Sequence, residues 1–153
     1  SVSDRLKRQV NVELEQLNQL INTYRALLEH PAQTSPNNIE LAALATMLHG
    51  FYTGVENIFK RIVVELGDTL PSSEFWHRDL LDQMTQITEH RQTVITPPLR
   101  SQLREYLGFR HVFRQAYAFQ LKWEKMADLV QKTESTLRML ETELAVFLQS
   151  LKS

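Results

Sequence analysis

The chain has 153 residues, enough for one domain with a real core. Its 17 lysines and arginines nearly balance its 18 aspartates and glutamates, so no global basic field advertises nucleic acid, and RNA binding would need a local patch. Cysteine is absent, which excludes disulfides, thiolate metal sites and a cysteine nucleophile. The apolar runs are too short to span a bilayer, and no signal peptide opens the chain. A cytoplasmic protein is expected. It begins at Ser1, so processing or trimming at that end is also expected.

The hydrophobic period is helical throughout. Val10, Leu14, Leu17, Ile21, Tyr24 and Leu28 recur at three- and four-residue steps and mark a first long helix. "HPAQTSPNN" breaks it with two prolines and several turn formers. A second helix carries Leu41, Leu44, Leu48, Phe51, Val55, Ile58, Ile62 and Leu66, and Gly67 stops it. "GDTLPSS" reads as a loop, with Ser72 or Ser73 placed to cap a shorter third helix over residues 74–87. Thr96 can cap a fourth helix, since proline is tolerated in the first turn. The fifth carries Trp123, Met126, Val130, Leu137, Leu140, Leu144, Phe147 and Leu151. No segment alternates at period two for long enough to form a convincing strand. An all-α, antiparallel bundle of about five helices is predicted, forming a single domain over residues 1–153.

The fourth helix should hold "GFRHVFRQAY", residues 108–117. At ~100° per residue, Leu99, Leu103, Tyr106, Phe113 and Tyr117 fall on one stripe, and Arg110 lands within it. An arginine on an apolar face is expensive unless it is paired or bound to an anion. Gln115 sits roughly 140° from Arg110 on an ideal helix. One straight helix therefore cannot aim both residues at one ligand. They converge if the helix bends at Gly108, or if two copies meet across a two-fold axis.

Arg110, four residues, then position 115, one residue, then Tyr117 resembles the Arg-x4-His-x-Tyr signature of HEPN-domain ribonucleases. The closer resemblance is to the HepT-like toxins, which pair with minimal nucleotidyltransferase (MNT) antitoxins. "LHGFYTGVENIFKRI" resembles the second helix of that family, and "FWHRDLLDQM" its third. "LGFRHVFRQAYAFQLKWEKM" resembles its catalytic helix and the start of the fifth. The similarity is collinear from about Leu41 onward, and three separate segments agree. It implies a HEPN-like fold and a homodimer. It also implies metal-independent RNA cleavage, with tRNA a candidate substrate, in which the ribose 2′-hydroxyl attacks the neighbouring phosphate. No cofactor or metal is implied, and neither DNA nor a membrane is an expected partner.

That chemistry needs a proton acceptor for the hydroxyl and a cation for the charge developing on phosphorus. Histidine suits the first role and arginine the second. Gln115 stands where the family has histidine, and glutamine cannot accept the proton. This chain is therefore expected to be an inactive variant. The family pattern kept around position 115 favours an introduced His→Gln change over a natural loss. The alternative is a naturally non-catalytic HEPN binding module that partners a nucleotidyltransferase. In the MNT-paired branch the antitoxin transfers AMP onto the motif tyrosine, which the resemblance maps to Tyr117. Bulky phosphates beside Arg110 would then block the site.

Several further positions bear on such a site. Glu56, with Tyr52 one turn before and Phe59 after, is an acidic residue close to an apolar face. It is placed to pair with Arg110 or Arg114 from the facing helix; a merely solvated glutamate is about as common. His111 is a possible substitute base, although a partly exposed helix histidine is the plainer reading. Gly50 and Gly54 permit a close helix crossing. Trp76, His77 and Arg78 suggest either a partner contact or a buried tryptophan with polar neighbours. His49, His77 and His90 lack the carboxylate spacing of a metal site.

Overall fold

The structure is a computed structural model that describes residues 1–29, 35–115, 117 and 120–152. Most of the "HPAQTSPNN" break, residues 30–34, lies outside the described residues. Among the described residues six helical segments follow one another: α1 (Val2–Thr23), α2 (Arg25–Leu28), α3 (Asn38–Glu65), α4 (Trp76–Gln83), α5 (Pro97–Phe113) and α6 (Trp123–Gln149). The predicted all-α bundle is present, and α2 is a single turn added to the five expected helices. The first helix thus stops at Thr23 rather than running through Leu28. Tyr24 leaves helical geometry there, and a new turn starts from it. Among the described residues the only sheet-like pairing is an isolated bridge between Thr88 and Arg91. No helix among them is long and apolar enough to cross a membrane.

α3 is the central helix and packs against α1, α4, α5 and α6. Its apolar residues bury most of its circumference, including Leu44, Leu48, Phe51, Tyr52, Val55, Ile58, Phe59 and Ile62. Its ends are well defined. Asn37 and Glu40 form a reciprocal capping box, each side chain accepting the other's backbone N–H at 2.9 Å. At the other end Gly67 takes φ +83°, as expected of a helix stop. The N–H of Asp68 then reaches Val63 O at 3.0 Å and that of Gly67 reaches Val64 O, so orphan carbonyls are satisfied.

The small residues of α3 set the α1 crossing. A Cβ added at Gly54 would lie 2.4 Å from Leu17 Cδ2 and 3.0 Å from Leu17 Cγ, whereas at Gly50 the nearest atom is Leu20 Cδ2 at 3.3 Å.

α5 is anchored along its length. Thr96 is the N-cap residue, but its side chain does not cap α5. Its backbone N–H and hydroxyl instead donate to the two carboxylate oxygens of Glu143 on α6, at 2.7 and 2.9 Å. Two prolines in the first turn remove donors that a cap would otherwise serve, which frees Thr96 for this clasp. Midway, the fully buried Tyr106 donates to Leu129 O at 2.7 Å and meets the Phe51 ring edge-on. α4 is shorter than the predicted 74–87 segment. Ser73 accepts from the N–H of Phe75 and donates to Asp79, so it organises the turn into α4 without being its N-cap residue. Past α4, the buried Arg91 donates to the carbonyls of Gln83, Gln86 and Gln92 and ends the helix with side-chain donors.

Gly54→Ala is expected to lower unfolding stability by about 1–2 kcal/mol, because overpacking at Leu17 outweighs the gain in helix propensity. Gly50→Ala should be neutral or slightly stabilising. Urea denaturation of both variants measures the difference; equal midpoints would refute the packing assignment.

Candidate functional site

α3, α4 and α5 meet at a buried carboxylate. Glu56 has a side chain only 4% exposed, and the flanking Tyr52 and Phe59 are fully buried. An ionised carboxylate in such surroundings is unfavourable unless it is paired and hydrogen-bonded. Both oxygens are taken. Arg110 Nη1 of α5 donates to Oε1 at 2.9 Å, and His77 Nδ1 of α4 lies 2.7 Å from Oε2. Arg110 Nη1 and His77 Nδ1 are themselves 3.4 Å apart. The short contact with a carboxylate puts the His77 proton on Nδ1, because a bare ring nitrogen would repel it.

This pairing explains the arginine on the apolar stripe of α5. Its side chain is 14% exposed, and Glu56 supplies the neutralising charge. Arg110 Nε is buried without a hydrogen-bond partner among the described residues. Tyr52 feels the same carboxylate: burial, and then the charge of Glu56, push its phenol well above the usual tyrosine range. His49 of α3 packs on Phe113 with ring centroids 5.3 Å apart. Burial, followed by the Arg110 and Arg114 charges, holds its pKa below the ordinary imidazole value, so it adds no charge at neutral pH.

A hollow of about 400 Å³ opens over this group. Its walls include Arg110, His77, Arg78, His111, Arg114 and Phe75. The overall charge is near zero, yet three guanidiniums and two imidazoles line the hollow, with Glu74 beside them and Glu56 paired to Arg110. Local cationic charge in a concave wall favours anionic ligands. Among the described residues no group of three or more His, Asp or Glu side chains could hold a metal ion.

The predicted site residues divide into two sets. Arg110, Arg114 and His111 line the hollow, and Glu56 lies behind Arg110, bonded to it. His111 is exposed, as the plainer reading had it, though it borders the hollow. Gln115 and Tyr117 do not line it. The helix predicted to carry them ends at Phe113, and Gln115 lies in the following turn, its N–H bonded to Val112 O at 3.1 Å. Tyr117 was expected on the apolar stripe, but it lies beyond the helix and is 69% exposed, with its backbone N–H donating to Gln120. The helix runs unbroken through Gly108, so the break falls about a turn and a half later than the glycine suggested.

Sequence reading missed His77 as part of this group. Its partner Glu56 is 21 residues away, on another helix, so no local spacing reports the pair. Trp76 beside it is half-buried, stacks on His77 at 3.6 Å and carries Lys60 Nζ 4.6 Å above its ring.

Together these features define an all-helical bundle protein with a basic hollow whose Arg110 and His77 are held by a buried carboxylate. The model of the family described as HepT-like protein matches residues 43–151, and the chain belongs to that family. HepT-like proteins are associated in general with toxin–antitoxin pairs. No curated protein and no solved structure matches the chain.

Removing Glu56 strands the Arg110 charge. Glu56→Ala is expected to cost about 3 kcal/mol in denaturant unfolding. In a cycle with Arg110→Met, the double variant should be less destabilised than the sum of the singles, with a coupling of about 1–3 kcal/mol. Strict additivity would mean the pair is not a structural unit.

Proposed function

We propose that this chain is a HEPN-type ribonuclease toxin fold that acts on RNA, and that Gln115 leaves it with little turnover. The observation that carries the reading is Arg110, held by Glu56 at the wall of a cationic hollow. A planar, permanently charged donor so fixed suits the phosphate of a scissile link and the charge that grows on it during attack. Family membership supports the class of activity. The absence of histidine at position 115 removes the base that would take the 2′-hydroxyl proton. Gln115→His is expected to raise RNA cleavage by about 10²- to 10⁴-fold, the usual contribution of general base assistance. Arg110→Ala in that background should abolish the gain. An unchanged rate on Gln115→His would refute the assignment of position 115.

We further infer that the working site is shared between two copies of the chain. Arg110 lines the hollow and position 115 does not, which supports a second protomer bringing residue 115 to the phosphate. A mixing experiment tests this. The chain as it stands supplies Arg110, and the doubly substituted Arg110→Ala, Gln115→His chain supplies the base. Each alone should be nearly inactive, and mixing them should restore cleavage through hybrid dimers. No gain on mixing, with Gln115→His alone active, would place the site within one chain.

Neutralisation by an MNT-type nucleotidyltransferase is part of the same proposal. Tyr117 is the acceptor: its phenol attacks the α-phosphate of ATP held by the partner, forming a phosphodiester and releasing pyrophosphate. Its exposure suits a residue that must enter another protein's active site. Incubation with a cognate partner, ATP and magnesium should add AMP mass to the peptide containing Tyr117. The loss of histidine at position 115 should not prevent this, because the chemistry belongs to the partner. Undiminished labelling of Tyr117→Phe would overturn the assignment.

The second reading is a binding module without catalysis, favoured by Gln115 itself. It predicts RNA binding through the hollow, with no cleavage gained on Gln115→His.

A further inference from the structure

The Glu56–His77 pair sits where a proton acceptor would be useful. His77 gives its Nδ1 proton to Glu56 Oε2 at 2.7 Å, so the lone pair of the neutral ring lies on Nε2. Nε2 makes no hydrogen bond among the described residues. The ring is 28% exposed and lines the same hollow as Arg110. The carboxylate fixes the tautomer and ring orientation. Stacking on Trp76 from one side further restrains the ring. A carboxylate-oriented imidazole beside a guanidinium is the arrangement that general base catalysis at a phosphate requires.

We propose that His77 is a general base of this chain, accepting a proton from a ribose 2′-hydroxyl whose phosphate is held by Arg110. The inference rests on the ribonuclease reading above. In the step, the 2′-oxygen loses its proton to His77 Nε2 and forms a bond to phosphorus, while the bond from phosphorus to the 5′-oxygen breaks. The products are a 2′,3′-cyclic phosphate and a 5′-hydroxyl. The leaving oxygen takes its proton from water, and His77 returns its own to solvent, so no net proton is consumed. This base accounts for a slow residual cleavage by the Gln115 chain, separate from the faster reaction that histidine at position 115 would support.

The test is single-turnover cleavage of an end-labelled RNA by excess protein, with RNA affinity followed by fluorescence anisotropy and folding by circular dichroism. The Gln115 chain should cleave slowly and yield the cyclic phosphate. His77→Gln should slow it by at least ~10-fold, toward the range expected for loss of a general base, with RNA affinity unchanged. His77→Gly should be equally slow and recover on addition of imidazole, which a purely structural role for the ring would not give. The remote His90→Gln should cleave at the parent rate. Cleavage undiminished in His77→Gln, or no imidazole rescue, overturns the proposal. So does complete inactivity of the Gln115 chain; Gln115→His then separates the two failures. If that variant is active the ribonuclease reading stands and only His77 is wrong, and if it is inactive both fail.

Discussion

A carboxylate buried in an apolar bundle must be neutralised, and much of this structure follows from how Glu56 is. The cost of removing such a charge from water is several kcal/mol. It is offset only because two donors arrive from two other helices, Arg110 from α5 and His77 from α4. The result pins three helices at one point. Each donor is thereby held with part of its polar surface turned to the hollow. Fixing a guanidinium this way sacrifices some net positive charge but reduces the conformational freedom it would lose on binding an anion.

The rest of the fold serves the same point. α5 must deliver Arg110 at a set height, and it is tied near its start to Glu143 and midway to Leu129 O. α4 must deliver His77, and it is short, entered through the Ser73 turn and closed by the buried Arg91. α3 carries Glu56 at the centre, where Gly54 lets α1 approach so closely that a methyl group would meet Leu17. Hydrophobic burial makes the bundle, but polar contacts between helices set where α4 and α5 place their side chains.

Balanced overall charge conceals a local field. Arg78, Arg110 and Arg114 converge on one hollow, although Arg110 is paired with the buried Glu56 and Glu74 is also in the lining. A composition argument is blind to this, because it sums over the chain whereas a ligand responds to charge within about one Debye length. The hollow is thus a local concentration of basic side chains that total charge gave no reason to expect.

Local chemistry determined a large part of this protein. The 3.6-residue period laid down α1, α3, α5 and α6. Gly67 ended α3, because only its missing Cβ makes a positive φ inexpensive. The Arg110 stripe demanded a partner, and Glu56 was legible as one because it sits close to an apolar face between Tyr52 and Phe59. Other features depended on distant residues. The end of α5 at Phe113 carries no glycine or proline signal, and it leaves Gln115 and Tyr117 off the stripe that periodicity gave them. Thr96 turned from an intrahelical cap to a clasp on Glu143, 47 residues away. His77 joined Glu56 only when α4 folded against α3. Periodicity reports which face of a helix is buried; which side chain of another helix meets that face is decided by the three-dimensional packing, where sequence separation has no bearing on distance.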